Sequence, residues 1–166
     1  MISREHREAP HFCSSFGLGL NARLRFDAAS CLKHSTGGDG PEYLNLLDAV
    51  FRYQVAGWEE GHVDYIFLEL DQRDPPVELF EWFKGRRPPV LPASMADASI
   101  DGVRHKHLGG HGLILNITRI AWLGPDAAEV TGGSYQSGLA ASTHGYRVER
   151  RRGKWVVIRD ELQGIS

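Results

Sequence analysis

The sequence predicts an α+β domain in which an antiparallel β-sheet packs against two or three helices. A stretch with helical spacing of apolar residues begins at Pro41, and a short β-branched and aromatic stretch follows at residues 63–70. Four further apolar or alternating stretches, separated by turn residues, occupy residues 112–160. Helix, strand, helix and then a run of strands is the order typical of helices on one face of an antiparallel sheet.

Length and composition indicate one domain. The chain has 166 residues, and domains usually contain about 100–200. Its 19 Lys and Arg against 21 Asp and Glu give a net charge of −2, which favours neither nucleic acid nor an anionic membrane as partner. No run approaches the ~18 apolar residues of a membrane span. Cys13 and Cys31 match no disulfide or zinc spacing, so we expect a cytoplasmic protein.

Residues 1–40 are predicted to be a flexible arm. They show no sustained apolar period and close with a Gly- and Ser-rich linker at residues 35–40. A signal peptide is disfavoured because Arg23, Arg25 and Asp27 interrupt the mildly apolar stretch that follows Phe12. The α+β domain is therefore expected at residues 41–166.

The two predicted helices have clear ends. Apolar residues recur every three or four positions from Leu44 to Val55, Pro41 suits a first helical turn, and Gly57 is a plausible end. A second helix is expected after Pro75 and before Gly85. Between them, residues 63–70 read as a buried strand.

The meander is expected to contain four strands. We place them at 112–122, 128–135, 146–150 and 154–160, with tight turns between them. The pair Gly132-Gly133 indicates a bulge or a close approach of two backbones.

Six short segments carry a resemblance to known proteins. They are GLIL at 112–115, IAW at 120–122, AEVTGGSY at 128–135, GLAAS at 138–142, YRV at 146–148 and GKWVV at 153–157. They resemble small bacterial proteins of unassigned function with cystatin-like or nuclear transport factor two-like domains. The resemblance covers residues 41–166 and implies a cone-like curved sheet around a helix, often with a pocket, and a homodimer. The shared residues are sheet and turn positions, so it implies no catalytic residue.

Two classes of function remain open. We favour a domain that binds a small apolar ligand or a second copy of itself as a homodimer, with no cofactor. The alternative is a small hydrolase, lyase or isomerase with a pocket, using an Asp–His pair or a histidine-bound metal.

Candidate polar residues flank the stretches 63–70 and 112–122. His105, His107 and His111 have a spacing at which extended chain could bring imidazoles to one ion, although a solvated polar loop also explains them. Asp64 with His105 or His107 is the candidate catalytic pair, and Glu69 lies near by. Carboxylates at strand ends usually face water, which is the alternative.

Other side chains could bind a ligand or a partner. Tyr65, Phe67, Trp82 and Trp122 could line a pocket, although packing in the core is their commoner role. The basic residues at 147–154 could contact phosphates, but we expect them to protect a charged hairpin from edge pairing.

Overall fold

A long helix and an eight-stranded sheet make up most of the described chain. The computed structural model describes residues 40–58 and 62–166, so the arm predicted at residues 1–40 lies outside the described residues apart from Gly40. The elements are α1 (Pro41–Ala56), β1 (Tyr65–Leu70), α2 (Glu78–Glu81), β2 (Val90–Pro92), β3 (Ala96–Ser99), β4 (Gly102–His105), β5 (Gly109–Gly124), β6 (Ala127–Ser137), β7 (Ala140–Arg151) and β8 (Lys154–Ile165). The predicted α+β class is confirmed, and the sheet is open and mostly antiparallel.

The helix α1 forms where apolar residues recur at helical spacing. Pro41 stands in its first turn, where a missing N–H leaves no bond unmade, and Glu42 there complements the helix dipole. The Arg86 guanidinium donates a 3.1 Å hydrogen bond to the Val55 carbonyl in the last turn. One face of the helix is buried and carries Leu46, Leu47, Val50, Phe51, Gln54 and Val55. In the described residues no helix is long and apolar enough to cross a membrane.

The strand β1 is covered on both faces, which explains why residues 63–70 read as a continuous apolar run. Ile66 and Leu68 pack toward α1, whereas Phe67 packs in a second cluster on the outer face of the sheet. Burial on both faces is typical of parallel strands, and β1 runs parallel to β2 and to β5. The apolar pattern predicts this strand but not its parallel pairing.

The four meander strands are confirmed, and β5 to β8 pair consecutively in antiparallel fashion. The short strands β3 and β4 were not predicted, because their sequence is polar and reads as a loop. The second predicted helix is reduced to the four-residue α2, which Gly85 follows with a positive φ of 77°.

The sheet face toward α1 changes character along the strands. The cross-strand pairs Ala128–Val148 and Val130–Tyr146 are apolar or aromatic, whereas the next pairs toward the other end bring His144 opposite Gly132 and Ser142 opposite Ser134. Residues two apart on a strand share a face, so both sets face α1. We call Ala128, Val130, Val148 and Trp155 the covered half, and Ser134, Ser142, His144 and Asp160 the open half.

The position of α1 separates these halves. At its start, the Glu42 carboxylate accepts a 2.9 Å hydrogen bond from the Trp155 indole. At its end, Gln54 donates a 3.0 Å hydrogen bond to the Asn116 carbonyl. The helix therefore lies over the covered half and ends where the polar residues begin.

Candidate functional site

The three histidines considered as candidate metal ligands lie in different environments. His105 is only 5% exposed, and its ring lies 5.1 Å from that of Tyr65. Its Nδ1 accepts hydrogen bonds from the backbone N–H groups of His107 and Leu108, at 3.1 and 3.2 Å. The buried ring thus fixes the turn between β4 and β5. His107 and His111 are exposed, and among the residues described no group of three or more His, Cys, Asp or Glu could hold a metal ion.

The candidate pair of Asp64 with His105 or His107 is not formed: among the described residues, no histidine ring donates a hydrogen bond to the Asp64 carboxylate. The Asp64 carboxylate accepts a 2.8 Å hydrogen bond from the backbone N–H of His111, and therefore ties the start of β1 to β5. Glu69 is half-buried, and burial raises the pKa of its carboxyl. It makes no hydrogen bond or ion pair within residues 40–58 and 62–166 that would give it a catalytic partner.

The four aromatic residues considered as candidates to line a pocket lie in separate places. Tyr65 and Phe67 belong to the cluster on the outer face. Trp82 lies under the Arg52 guanidinium, whose carbon is 5.8 Å from the ring centre. Trp122 packs edge-on against Trp155, with the ring centres 5.6 Å apart. They therefore do not line one pocket.

The basic residues of the last hairpin are largely paired with acidic neighbours. Arg150 lies 3.2 Å from Glu42, and Arg147 lies 3.6 Å from Glu149. Arg151 also lies 3.3 Å from Glu149. Paired surface charges at a hairpin fit the protection of a sheet edge better than a phosphate site.

A polar pocket lies where α1 ends above the open half. Its volume is about 460 Å³. The helix end contributes Tyr53, Gln54, Ala56, Gly57 and Trp58, and the sheet contributes the open half with Tyr146, Leu115 and Gly133. We call this cavity the polar pocket.

The polar pocket contains a His–Asp pair. His144 Nδ1 and Asp160 Oδ1 are 2.6 Å apart, and the two side chains are 25% and 26% exposed. The other Asp160 oxygen accepts a 3.2 Å hydrogen bond from the Tyr53 hydroxyl. Both carboxylate oxygens are thus occupied, whereas His144 Nε2 has no partner among the described residues. The ring is held parallel to that of Tyr146, with centres 5.7 Å apart.

Gln54 supplies an unpaired acceptor beside this pair. Its amide nitrogen donates to the Asn116 carbonyl at 3.0 Å and lies 3.3 Å from the Tyr146 hydroxyl oxygen, to which it also donates. Its amide oxygen is buried and has no hydrogen-bond partner within the described residues. The atom has almost no accessible surface, so a molecule in the pocket does not reach it in this conformation.

Burial governs the ionisation of Tyr146. This residue is only 4% exposed, and its burial raises the pKa of the phenol to about 12. The hydrogen bond from Gln54 lowers this pKa, whereas Asp160 and Tyr53 raise it further. The pKa of Tyr53 is also raised, first by burial and then by Asp160. Tyr146 therefore carries its proton near neutral pH and can donate it in a hydrogen bond.

The predicted close approach at Gly132-Gly133 is confirmed, and it shapes the pocket floor. A Cβ on Gly132 would collide with the Asn116 carbonyl and lie 3.2 Å from the Gln54 amide nitrogen. A Cβ on Gly133 would collide with the Ser142 carbonyl. Next to them, the hydroxyls of Ser134 and Ser142 are 2.8 Å apart. The glycines let three strands and Gln54 meet at one point.

A larger groove of about 590 Å³ lies between α1 and the start of β8. Two of its three charged residues, Asp48 and Arg52, pair with each other, and Arg52 also lies over the Trp82 ring. This groove holds no unpaired buried polar atom within the described chain, so we take the polar pocket as the candidate site.

His144, Tyr146 and Asp160 were not among the candidate site residues predicted from the sequence. His144 and Tyr146 stand two apart on β7 and therefore share a face, which is a signal that the alternation alone could have given. Asp160 was placed only as the end of a strand. Its position beside His144 depends on the register of β7 and β8, which shifts between Arg147 and Val148 and thereby places Asp160 opposite Tyr146.

Comparison with protein-family models, with curated proteins and with solved structures gives no match.

Proposed function

We propose that the polar pocket binds a small uncharged organic molecule and that the His144–Asp160 pair acts in it as a general base. The observation that carries this proposal is the 2.6 Å contact between His144 Nδ1 and an Asp160 oxygen in the pocket. It supports the alternative of a small enzyme with a pocket, with a different Asp–His pair from the one expected at Asp64.

The hydrogen bond to Asp160 favours the histidine tautomer that a base requires. When Nδ1 carries the proton and donates it to the carboxylate, Nε2 is free to accept a proton. The two side chains are about a quarter exposed, so water reaches the pair. We therefore favour hydrolysis: Nε2 takes a proton from water while the water oxygen attacks a carbonyl carbon. Asp160 stabilises the imidazolium that forms.

Tyr146 supplies a hydrogen bond for the carbonyl oxygen. Its hydroxyl oxygen accepts from Gln54, and its own proton has no acceptor in the described chain. Because burial raises the pKa of this phenol to about 12, the proton remains available at neutral pH. A hydrogen-bond donor directed at the oxygen on which negative charge develops raises the rate roughly 10²–10³-fold.

Hydrolysis of p-nitrophenyl acetate by the full chain tests the general base. The products are acetate and p-nitrophenolate, and one water is consumed. We expect His144→Gln to lower kcat/KM by about 100-fold or more, the range of general-base catalysis, and the rate to fall in D2O. The control His107→Gln alters an exposed histidine that does not line the pocket and should keep the wild-type rate. Equal rates for His144→Gln and wild type would refute the general base.

A binding function without catalysis is the second candidate, and the volume of the polar pocket, about 460 Å³, favours it. Such a pocket would hold a small molecule whether or not His144 takes a proton. The expected signature is saturable binding of a small uncharged molecule, followed by NMR shifts at His144, with no product formed. Turnover that depends on His144 would exclude it.

We also propose a homodimer and membership of the cystatin-like or nuclear transport factor two-like superfamily. The packing of a 16-residue helix on a four-stranded meander supports the superfamily.

The edge of the sheet supports the homodimer. The strand β8 pairs only with β7 in the described residues and exposes Val156 and Ile158, a feature of edges that can pair with another chain. Light scattering should give twice the chain mass, and a monomer at high concentration would refute the dimer.

A further inference from the structure

We infer that the polar pocket also binds an organic cation, a quaternary ammonium ion of the size of choline. This inference goes beyond the proposed function, because it needs the negative charge and the aromatic rings of the pocket and no proton transfer to His144. It follows from the charge of the pocket, from the hydrogen bonds of its carboxylate and from the rings beside it. The volume of about 460 Å³ lies within the roughly 300–1,000 Å³ of small-molecule sites.

The polar pocket carries one negative charge that no lining cation balances. Asp160 is the only Asp, Glu, Lys or Arg among its described lining residues. Its one ion-pair partner in the described chain is His144, which is neutral when Nδ1 carries the proton and Nε2 is free. The preceding residue on β8, Arg159, does not line the pocket and pairs with Glu161 at 2.9 Å. A cation in the pocket would therefore be attracted to the Asp160 carboxylate.

The hydrogen bonds of this carboxylate favour a cation without N–H groups. One Asp160 oxygen lies 2.6 Å from His144 Nδ1, and the other accepts a 3.2 Å hydrogen bond from the Tyr53 hydroxyl. A primary ammonium has three donors and a guanidinium has five, so either ion would compete with these two contacts. A quaternary ammonium has no donor and is attracted by charge alone, so both contacts remain.

Aromatic rings stand next to the carboxylate. Tyr53, Trp58 and Tyr146 line the pocket. Tyr146 is buried and packs against Tyr53, with the ring centres 5.9 Å apart and the planes at 72°. Tyr53 is 43% exposed and Trp58 is partly exposed, so these two residues present aromatic surface to a ligand. The faces of such rings attract cations within about 6 Å, and quaternary ammonium ions are recognised in this way.

Binding of two matched compounds to the full chain tests the charge. Choline and 3,3-dimethyl-1-butanol have the same shape and the same hydroxyl group, and differ in a charged nitrogen or a neutral carbon at the branch point. We expect titration calorimetry to give choline a Kd about tenfold lower or more, since the charge interacts with both the carboxylate and the rings. A neutral alcohol that binds wild type as tightly as choline would overturn the inference.

Two variants assign this preference to one carboxylate. Asp160→Asn keeps the size of the side chain and removes its charge, so the ratio of the two Kd values should fall to about two- to fivefold, the contribution of the rings. The control Glu161→Gln removes the same charge from the next residue, which is exposed and does not line the pocket. It should keep the wild-type ratio. A wild-type ratio in Asp160→Asn would overturn the inference.

Two variants of Tyr53 test the aromatic ring. Tyr53→Phe keeps the ring and removes the hydroxyl, whereas Tyr53→Leu removes both, at an exposed position of α1. We expect the ratio of the two Kd values to be unchanged in Tyr53→Phe and to fall about two- to fivefold in Tyr53→Leu. Equal ratios in the two variants would overturn the contact between the cation and this ring.

Ethanolamine tests the class of cation. It has the charge and the hydroxyl of choline, but three N–H groups replace the three N-methyl groups. We expect ethanolamine to bind more weakly than choline, because its donors compete with His144 and Tyr53 for the oxygens of Asp160. Tighter binding of ethanolamine would overturn the assignment to quaternary ions.

Inhibition of ester hydrolysis separates this inference from the proposed function. Choline in the pocket should raise the KM for p-nitrophenyl acetate and leave kcat unchanged. His144→Gln should still bind choline, because Asp160 keeps its charge. Hydrolysis that depends on His144 and is not inhibited by choline overturns the cation site and leaves the general base in place. Choline binding with equal hydrolysis by wild type and His144→Gln supports the cation site and refutes the general base.

Discussion

The covered half and the open half of the sheet belong to the same strands and face the same helix, yet they have opposite chemistry. In the covered half, Val148 and Ala128 are fully buried beneath α1. In the open half, His144 and Asp160 line the polar pocket and remain about a quarter exposed. The length of one helix sets this boundary, because α1 ends at Ala56 just after Gln54 reaches the Asn116 carbonyl.

The difference separates folding from function. The covered half contributes stability by removing apolar surface from water, at roughly 25 cal/mol per Å². The open half buries less apolar surface and keeps polar groups together. The unpaired acceptor of Gln54 beside it is unfavourable for the folded chain. We therefore expect substitutions in the two halves to differ in the free energy of unfolding and in ligand binding.

The largest effect is expected under α1. Phe51 is fully buried in the core cluster with Leu47 and Val148, so Phe51→Ala should lower the free energy of unfolding by about 3–5 kcal/mol. Urea unfolding followed by circular dichroism measures this loss. A loss under about 1 kcal/mol would show that the covered half is not the source of stability, and the comparison between the halves would fail.

The next effect concerns Tyr146, at the boundary of the two halves. Its pKa in the folded chain is raised to about 12 by burial, while the unfolded phenol loses its proton near pH 10. Between these values the folded chain holds more protons than the unfolded one, so stability falls as the pH rises. The loss is about 2–3 kcal/mol, is absent below pH 10, and is complete above the folded pKa.

Tyr146→Phe removes the titrating group and should remove this part of the pH dependence. Urea unfolding at pH 9 to 12 of wild type and variant isolates it, because all other titrations are common to both proteins. The same slope in both would show that the Tyr146 phenol is not buried beneath α1.

The two halves also differ in how much of their structure the sequence predicts. The covered half and the strands follow from local patterns: the helical spacing from Leu44 to Val55 and the turns around residues 124–126 and 151–153. Each of these signals lies within one element, so neighbouring residues suffice to predict it. The strands were predicted to end too early, because strand pairing continues beyond the residues that pack in the apolar core. The strand β8, for example, extends to Ile165.

The open half depends on contacts that no local pattern specifies. His144 and Asp160 lie on different strands, and a register shift between Arg147 and Val148 brings Asp160 to the face of the sheet that His144 occupies. The His105-Lys106-His107 segment was the more conspicuous sequence feature. Yet the ring of His105 is held by backbone N–H groups and aromatic neighbours, which spacing does not reveal.

A smaller effect is expected for the glycines under the open half. The strands β6 and β7 approach so closely that a Cβ on Gly133 would collide with the Ser142 carbonyl. Gly133→Ala should therefore lower the free energy of unfolding by about 1–3 kcal/mol, the usual cost of overpacking. Gly164→Ala is the matched control, because its Cβ would meet nothing within 4 Å, and it should be neutral. Equal effects of the two variants would mean that the close approach does not constrain the pocket floor.

The smallest effect on stability is expected for Gln54→Met. The substitution removes donors to the Asn116 carbonyl and the Tyr146 hydroxyl, but it also removes the unpaired buried oxygen. Because these effects oppose each other, the free energy of unfolding should change by under about 1 kcal/mol, although the residue is as buried as many core positions. A loss comparable with that of Phe51→Ala would mean that the hydrogen bonds of Gln54 to Asn116 and Tyr146 hold the end of α1 on the sheet as strongly as the apolar core does. A change under about 1 kcal/mol would show that α1 is held on the sheet by its apolar contacts with the covered half, and that the polar contacts at its end contribute little.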